Sequence, residues 1–335
     1  MSALGTIVIP PTDVLCSVTD LSVAYFSDGG WLKAVRGVSF GVKPGEILAI
    51  VGETGSGKST TATAMIRMLP SNGKVIGGNV SFGGRDILAL SEGEMRSLRG
   101  QSVAYIPQQP MSAFNPTMRI GRQVAEPLLI HRGMRYSKAR EEASNRLTEM
   151  GIRDVERVMH AYPHQLSGGM LQRAMIATAM ILQPKLLIAD EPTSALDVTI
   201  QRQILKLIRR VQRDYHLAVV LISHDLSVVS QIADRILVLY GGRLVEAGPT
   251  SGISEAPRHP YTRGLLLSSI SAELDHKARI PSLAGYPPNP AQVDAEEGCP
   301  FRPRCPRAVE ACTTEFPALV RDDSRAWACH NPEIQ

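Results

Sequence analysis

The chain has 335 residues, of which 44% are hydrophobic and 20% are charged. This length allows one large domain with an appendage or two modest domains. A net charge of +4 is too small to indicate a nucleic-acid-binding protein. No apolar run approaches the ~18 residues that a membrane-spanning helix needs, and the N-terminus has no signal-peptide pattern. We therefore expect a cytosolic protein.

The first elements in chain order are strands. Residues 14–42 contain segments in which apolar and polar residues alternate, and this pattern predicts antiparallel strands. Residues 47–51 form an apolar run that predicts a buried strand directly before a glycine-rich loop. Residues 59–69 contain neither glycine nor proline, so a helix is expected directly after that loop.

The glycine-rich loop matches the phosphate-binding pattern G-x-x-x-x-G-K-[ST] in the strand–loop–helix context that this pattern requires. Glycines let backbone N–H groups approach phosphate oxygens, and the helix adds its positive N-terminal end. Lys58 is predicted to reach the β- and γ-phosphates, and the Ser59 hydroxyl to bind Mg²⁺. The residues assigned to this site are Gly52, Glu53, Thr54, Gly55, Ser56, Gly57, Lys58, Ser59 and Thr60.

Two further candidate contacts follow. Residues 103–106 predict a short buried strand, and Gln108 comes after it as a candidate contact for Mg²⁺ or for the attacking water molecule. Ser167 is a candidate N-cap for a helix that begins at Gly168 and Gly169. The free N–H groups of such a helix start can bind a second anion, although a plain capped helix explains the same residues.

A pair of carboxylates follows the next apolar run. Residues 186–189 predict a buried strand that ends at Asp190 and Glu191, at the sheet edge where ligands bind in parallel α/β folds. Asp190 can hold Mg²⁺ through its water shell, and Glu191 can orient and deprotonate a water molecule. A buried strand at residues 217–222 likewise leads to His224, a candidate hydrogen-bond partner of the γ-phosphate. Alone, such patterns also occur in strands that lead into ordinary turns.

Strands that alternate with helices predict an α/β fold with a mostly parallel sheet core and an antiparallel β subdomain. Gly241 and Gly242 separate two apolar segments and predict a β-hairpin. Beyond Pro249, proline becomes frequent and strand signals are lost. We therefore predict a nucleotide-binding domain over residues 1–250 and a small irregular extension over residues 251–335.

Four of the five cysteines lie in this extension: Cys299, Cys305, Cys312 and Cys329. In a cytosolic chain such a cluster indicates metal binding more than disulfides. The spacing C-x5-C-x6-C-x16-C fits neither the short C-x2-4-C pairs of structural zinc sites nor the bacterial ferredoxin pattern. The spacing alone leaves zinc, an iron–sulfur cluster, disulfides and unligated thiols open.

In order, these motifs resemble those of the ATP-binding subunit of ABC transporters, over roughly residues 14–250. The resemblance implies an ABC-type P-loop NTPase that binds and hydrolyses ATP with Mg²⁺ and has a helical subdomain over roughly residues 109–180. It also implies that Tyr25 stacks on adenine, with Phe26 as the less favoured alternative. The family roles are Lys58 and its loop as the Walker A motif, Gln108 as the Q-loop glutamine, Ser167, Gly168 and Gly169 within the signature motif, Asp190 and Glu191 at the end of Walker B, and His224 as the switch histidine.

The branch of the family is indicated by two features. Met170 stands where many cassettes have glutamine, and it is frequent in oligopeptide and dipeptide importers; Gln109 also departs from the common acidic residue. Neither change removes a catalytic group. Residues 259–262 and the proline-rich stretch near residue 287 resemble the C-terminal extension of peptide and nickel importer ATPases. The resemblance implies a subunit that powers uptake of oligopeptides or dipeptides, with a nickel or other small-solute importer as the alternative.

The family mechanism implies specific partners. A second ATPase subunit, usually related but not identical, is expected in a head-to-tail dimer in which Ser167 serves the partner's nucleotide. Two transmembrane permease subunits and an extracytoplasmic peptide-binding protein complete the transporter, which places this chain on the cytoplasmic face of the membrane. Because peptide-importer ATPases have similar tails, the resemblance favours a [4Fe–4S] cluster held by Cys299, Cys305, Cys312 and Cys329.

Two other function classes explain fewer of these sequence features than a transport ATPase does. ABC-type ATPases of DNA repair or translation usually contain a long coiled-coil insertion or two cassettes in one chain, and this sequence has neither. A redox-responsive binding protein would use the cysteine tail but would leave the hydrolytic residues unexplained. We therefore expect transport.

Overall fold

The computed structural model describes residues 14–27, 29–194, 196–270, 283, 285–288, 293, 298–322 and 324–333. Two compact units form, one from residues 1–89 and 221–335 and one from residues 90–220. The domain boundary that we placed near residue 250 stays a prediction, and most of residues 271–297 lie outside the described part.

The described strands are β1 (Cys16–Ser27), β2 (Gly30–Val42), β3 (Ile47–Val51), β4 (Gly73–Phe82), β5 (Arg85–Asp86), β6 (Val103–Ile106), β7 (Leu186–Asp190), β8 (Ala218–Ser223), β9 (Arg235–Tyr240), β10 (Arg243–Pro249), β11 (Val320–Arg321) and β12 (Ala326–Trp327). The described α-helices are α1 (Lys58–Met65), α2 (Glu92–Gln101), α3 (Pro110–Ala113), α4 (Ile120–Arg132), α5 (Tyr136–Glu149), α6 (Val155–His160), α7 (Gly168–Met180), α8 (Val198–Tyr215), α9 (Leu226–Ser230), α10 (Thr250–Glu255), α11 (Pro260–Ile270) and α12 (Ala311–Thr314). None of them is long and apolar enough to cross a membrane.

An antiparallel sheet with the strand order β2-β1-β4-β5 forms one part of the first unit. Strand β1 pairs with β2 on one side, Cys16 opposite Val42, and with β4 on the other, Cys16 opposite Phe82. Cys16 and Val18 of β1 are buried, and so are Leu21 and Val23, as expected when a strand presents alternate residues to a core. The register shift between Val18 and Leu21 separates the two pairs. The antiparallel strands predicted for residues 14–42 are confirmed.

Strand β3, which precedes the glycine-rich loop, lies beside β9. The two strands are parallel, with Leu48 opposite Arg235, and every residue of β3 is buried. Such a continuous apolar run is typical of strands that are covered on both faces. The predicted helix at residues 59–69 is shorter than expected, because Ile66 leaves helical geometry and Arg67 has a φ of 51°.

Strands β9 and β10 form the predicted hairpin. Gly241 and Gly242 have φ values of 54° and 79°, as a two-residue turn with a positive φ at both positions requires. β10 also pairs antiparallel with β12, which pairs with β11. We had expected no strands beyond Pro249. These two strands have two residues each, which is too short for an alternating pattern to be recognised.

An aromatic cluster lies at the centre of the first unit. The ring of Tyr240 lies 4.6 Å from that of Tyr261 and 5.1 Å from that of Phe301, measured between centroids. All three side chains are fully buried. Burial of such a side chain stabilises a fold by roughly 1.5–3 kcal/mol, and each aromatic pair adds about 0.5–1.5 kcal/mol. This cluster joins β9, α11 and the cysteine-containing segment.

In the second unit, β6 and β7 form a parallel pair, with Val103 opposite Leu186. Helices α4, α5 and α6 make residues 120–160 mainly helical. Caps fix several helix starts: Ser91 and Glu94 form a capping box before α2, and the Asp197 carboxylate accepts from two N–H groups at the start of α8. Each cap satisfies donors that have no partner inside the helix.

Two polar side chains are buried where α11 begins beside β10. The Glu246 carboxylate accepts hydrogen bonds from the backbone N–H groups of Arg258, at 2.6 Å, and of His259, at 2.9 Å. His259 Nδ1 accepts from the Tyr261 N–H at 3.1 Å, so the imidazole is held as a neutral acceptor. Burial lowers the pKa of His259 to about 3 and raises the pKa of Glu246.

The buried histidine predicts a pH-dependent stability. In the unfolded chain a histidine gains a proton as the pH falls through ~6.5, whereas His259 stays neutral until about pH 3. Its contribution is therefore complete above the unfolded pKa and is lost as the pH falls. Between pH 7.5 and 5.5 we expect this residue alone to lower the free energy of unfolding by roughly 1 kcal/mol.

His259→Asn keeps an acceptor for the Tyr261 N–H but has no titratable ring. Urea titrations at pH 7.5 and 5.5 should show a smaller loss of stability in this variant than in the wild type. Glu246 is present in both proteins, so its opposite effect on the pH dependence of stability cancels when the variant is compared with the wild type. His164→Asn, at an exposed position, serves as the control and should follow the wild type. Equal losses in His259→Asn and wild type would contradict the prediction.

Candidate nucleotide site

The glycine-rich loop has the tight backbone that the pattern predicts. Gly52, Gly55 and Gly57 have φ values of 154°, 82° and 96°, which residues with a side chain rarely adopt. A Cβ atom on Gly52 would lie 2.3 Å from the Leu239 carbonyl oxygen, and one on Gly57 would lie 2.6 Å from the Ala34 carbonyl oxygen. The loop can therefore adopt this conformation only with glycine at these two positions.

Lys58 lies against the loop that it follows. Its ammonium donates hydrogen bonds to the carbonyl oxygens of Gly52, at 2.7 Å, and of Glu53, at 2.9 Å, and only 5% of the residue is exposed. Its positive charge is thus concentrated at the loop rather than spread in solvent. Since α1 begins at Lys58, the N-terminal N–H groups of the helix add to the positive potential there.

Tyr25 lies beside the end of the loop. Its hydroxyl donates to the Thr60 Oγ1 at 3.2 Å, and its ring lies so close to Gly73 that a Cβ atom there would be 2.6 Å from the Tyr25 Cε1. Phe26 is 55% exposed and packs instead on Trp31. The loop therefore lies beside Tyr25, the favoured candidate for adenine stacking.

Three predicted site residues, Gln108, Asp190 and Glu191, make side-chain hydrogen bonds within the second unit. The Gln108 side-chain amide donates to the Glu191 carboxylate at 3.0 Å, so the two candidates for water activation are in direct contact. Asp190 is 3% exposed and accepts a hydrogen bond of 3.1 Å from the Tyr105 hydroxyl. Glu191 has a φ of 46°, a strained conformation that is concentrated at functional sites.

Ser167 caps α7, as predicted. Its hydroxyl accepts from the Met170 N–H at 3.4 Å. The two glycines that follow allow close packing, because a Cβ atom on Gly168 would lie 3.2 Å from a methyl group of Leu196 and one on Gly169 would lie 2.9 Å from Ile200 Cγ2. Ser167 and Gly168 are exposed, so this helix start is accessible to a partner molecule.

The predicted site residues are divided between the two units. Lys58, its loop, Tyr25 and His224 belong to the first unit, where His224 follows β8 and precedes the Asp225 cap of α9. Gln108, Asp190, Glu191 and the Ser167 segment belong to the second. The direct contacts described above bring Gln108 to Glu191 and Tyr25 to the phosphate loop.

The four cysteines of the extension form no disulfide in the structure. Burial raises the pKa of Cys299 to about 11, and the nearby Cys312, Cys305 and Cys329 thiols make a smaller contribution to this rise. At three of them a backbone N–H two residues later donates to the sulfur: Phe301 to Cys299, Arg307 to Cys305 and Asn331 to Cys329. Among the described residues, no group of three or more His, Cys, Asp or Glu side chains is arranged to hold a single metal ion.

Comparison with known proteins decides the family. Residues 35–194 match the family described as ABC transporter, and residues 245–312 match the one described as oligopeptide/dipeptide transporter, C-terminal region. The chain is 43% identical to the oligopeptide transport ATP-binding protein OppD of Salmonella typhimurium, over 99% of this chain and 98% of that protein. The chain belongs to the ABC transporter family.

Further relatives agree with this assignment. The dipeptide transport ATP-binding protein DppD of Bacillus subtilis is 45% identical over 93% of both chains. The dimeric structure of MJ0796, a bacterial ABC transporter cassette, is similar in fold, with a TM-score of 0.64 and 26% identity over 70% of this chain and 98% of that chain. The predicted cassette fold, the ABC-type ATPase activity and the family branch are confirmed.

Within this ABC ATPase, three residues near the site were not predicted from the sequence. Tyr105 contacts Asp190, while Tyr261 and Arg304 both contact Glu53 of the phosphate loop. Tyr105 lies in a short buried strand, and its sequence context carries no sign of a partner 85 residues away. A tyrosine in an otherwise aliphatic strand was the one available signal, since a buried hydroxyl needs a hydrogen-bond partner.

We predict that removal of the Tyr105 hydroxyl changes the Mg²⁺ dependence of ATP hydrolysis. If Asp190 helps to hold Mg²⁺, Tyr105→Phe removes the hydrogen bond that orients the carboxylate, and such outer partners typically contribute 10–100-fold to metal affinity. We expect the Mg²⁺ concentration for half-maximal ATPase activity to rise about tenfold in the assembled transporter, with little change at saturating Mg²⁺.

Tyr215→Phe is the matched control, because the Tyr215 hydroxyl donates to Glu149 in the same unit and has no described contact with the Asp190 carboxylate. This variant should keep the Mg²⁺ dependence of the wild type. An unchanged Mg²⁺ dependence in Tyr105→Phe would contradict a role for this hydroxyl in metal binding.

Proposed function

We propose that this chain is the ATP-binding and ATP-hydrolysing subunit of an importer that takes up oligopeptides or dipeptides through permease subunits. The observation that carries the proposal is its similarity, over 99% of its length, to an oligopeptide transport ATP-binding protein. That similarity includes the C-terminal region characteristic of oligopeptide and dipeptide transporters. The assignment to peptides rests on these relatives, since the described residues form the ATPase rather than a peptide-binding pocket.

The first unit supplies the groups that bind the nucleotide. The loop N–H groups and Lys58 hold the β- and γ-phosphates, because a buried ammonium and a helix N-terminus both favour a multiply charged anion. Tyr25 stacks on the adenine ring, and His224 hydrogen bonds to the γ-phosphate. The concentrated charge at Lys58 and the position of Tyr25 beside Thr60 support these roles.

The second unit supplies the groups for hydrolysis. Glu191 orients and deprotonates the attacking water, and Gln108 fixes the Glu191 carboxylate through their 3.0 Å hydrogen bond. Asp190 and Gln108, with Ser59 of the loop, would hold Mg²⁺, and these oxygen donors suit a hard cation. When bound, Mg²⁺ neutralises charge on the phosphates.

We also propose a head-to-tail dimer with a second ATPase subunit, in which Ser167, Gly168 and Gly169 contact the nucleotide of the partner. The exposed and capped start of α7 supports this role, as does the dimeric state of the similar cassette. A related but non-identical partner subunit is the expected arrangement.

A cleft of about 290 Å³ in the second unit is the proposed docking site for a permease segment. Tyr136, Tyr162 and His160 lie along the cleft, and Arg119, Arg122 and Arg140 supply positive charge. A short polar segment with acidic residues fits such a lining by charge and by aromatic contact. Docking there would hold the chain at the cytoplasmic face of the membrane, and an extracytoplasmic binding protein would deliver the peptide.

We further propose that the four cysteines of the extension hold a [4Fe–4S] cluster. Neighbouring cysteines help to raise the pKa of Cys299 and of Cys329, so the four thiols lie near one another and would provide the required donor set. Backbone N–H groups that donate to three of the sulfurs would stabilise thiolates. The cluster would supply cross-links between the cysteine-containing segments, a structural role.

The first test of this function is Glu191→Gln. The variant should bind ATP normally but lose nearly all ATPase activity and peptide uptake in the assembled transporter, because the amide cannot accept a proton from water. Glu142→Gln, at an exposed position of α5, should behave as the wild type. Survival of ATPase activity in Glu191→Gln would exclude the proposed mechanism and favour a binding role for the chain.

The second test concerns the cysteines. Anaerobically purified protein should contain iron and acid-labile sulfide in equal amounts, and Cys305→Ser should lose both. Cys16→Ser, in strand β1, should keep both and controls for loss of an unrelated thiol. Zinc alone, or no metal, would contradict the cluster and leave the ATPase assignment in place.

A further inference from the structure

In the described part of the C-terminal segment (residues 251–333), hydrogen bonds from Tyr261 and Arg304 meet the phosphate loop at Glu53. The Glu53 N–H donates to the Tyr261 hydroxyl oxygen at 2.7 Å. The Glu53 carboxylate receives both terminal nitrogens of Arg304, at 2.6 and 3.0 Å. With the Lys58 ammonium on its carbonyl oxygen at 2.9 Å, every polar group of Glu53 has a partner.

The two C-terminal residues are themselves firmly held. The Arg304 side chain is 5% exposed, donates to the Tyr240 hydroxyl at 3.2 Å, and lies 6.0 Å from the centroid of the Phe301 ring. Tyr261 is fully buried in the aromatic cluster described above. A bidentate arginine–carboxylate pair makes some of the stronger hydrogen bonds in proteins. Because the Arg304 side chain is buried, salt screens this pair only weakly.

The charge of Glu53 makes this pairing relevant to nucleotide binding. An unpaired carboxylate in a loop that receives phosphates would repel the ligand, at a cost that falls only inversely with distance. Arg304 converts this charge into a neutral pair. The guanidinium therefore removes an unfavourable interaction that the loop sequence would otherwise bring to the site.

The contacts of Glu53 also favour nucleotide binding because they hold the backbone of the loop in place. Glu53 follows Gly52 and lies two residues before Gly55, both with positive φ, and glycines carry the largest conformational freedom. A loop that must order itself on binding loses affinity, whereas one held in place beforehand does not. The Tyr261 hydrogen bond fixes the backbone of Glu53, and the Arg304 pair fixes its side chain.

We propose that Tyr261 and Arg304 are positioning residues that hold the phosphate loop, through Glu53, in its nucleotide-binding conformation. The C-terminal segment thereby sets the ATP affinity of the subunit. This inference rests on the proposed role of the loop in binding ATP. A purely structural attachment of the segment would leave the affinity unchanged, and the two cases are separable by experiment.

The experiment measures the Kd for MgATP on the full-length protein by displacement of a fluorescent ATP analogue. Tyr261→Phe retains the ring and its packing but loses the hydroxyl, and should weaken binding about 3- to 10-fold, the value of one hydrogen bond. Arg304→Gln should weaken binding about tenfold, since it leaves the Glu53 charge unpaired. Arg304→Lys should recover only part of this loss, because an ammonium cannot make the two-pronged contact.

The decisive variant is the double substitution Glu53→Gln with Arg304→Gln. Removal of the unpaired carboxylate should restore most of the affinity that Arg304→Gln loses. In the assembled transporter, the single variants should raise the KM for ATP while the kcat at saturating ATP changes less than about twofold, since a positioning role acts on binding rather than on the chemical step.

Arg263→Gln is the matched control. Arg263 lies in the same helix as Tyr261 but pairs with Glu333 at 2.8 Å, and the variant should keep the wild-type Kd. Unchanged affinity in both Tyr261→Phe and Arg304→Gln, an equal loss in Arg263→Gln, or no recovery in the double variant would overturn the inference.

Lys58→Ala separates this inference from the function on which it rests. If Lys58→Ala abolishes ATP binding while the C-terminal variants do not affect it, only the positioning role fails. If Lys58→Ala leaves ATP binding intact, the proposed role of the loop fails as well. Should Arg304→Gln lower the melting temperature, Tyr261→Phe, which preserves the buried ring, remains the variant that decides.

Discussion

Close backbone contact around the phosphate loop is the constraint on which the nucleotide site depends. The carbonyl oxygen of Leu239 in β9 occupies the space where a side chain on Gly52 would lie. The carbonyl oxygen of Ala34 does the same for both Gly57 and Gly242. The loop and the hairpin turn can therefore approach these carbonyl oxygens only where they carry glycine. The backbone path of the loop is therefore set by these contacts and by the fully buried strand β3 that leads into it.

The C-terminal segment belongs to the same compact unit as the loop. Strand β12 extends the pairing of β10, and the Glu246 carboxylate, fully buried, binds the backbone where α11 begins. A buried carboxylate is costly to desolvate unless it is fully hydrogen bonded, so its presence fixes the path of the chain at this point. The aromatic cluster then brings Phe301 and Arg304 close to Glu53. Packing and charge pairing thus act together on the loop.

The proposed site residues are held by contacts within each unit. In the first unit, Lys58 and Tyr25 are positioned by their hydrogen bonds to the loop. In the second, Gln108 holds Glu191 and Tyr105 holds Asp190. Groups that are oriented in advance lose little entropy when they bind or react. In each unit, hydrogen bonds therefore orient the proposed site residues in advance.

The sequence by itself determined the order of strand, loop and helix from residue 47, the hairpin at Gly241 and Gly242, the cap at Ser167 and the family, because each depends on local periodicity or on a short motif. The end of the helix at Met65 instead of the predicted residue 69 came from the structure. Tertiary structure alone decided the contacts of Glu53, whose partners Tyr261 and Arg304 lie 208 and 251 residues away. It also decided the convergence of the four thiols and the short strands β11 and β12. Such contacts depend on how whole elements pack, and packing between distant segments leaves no period in the sequence.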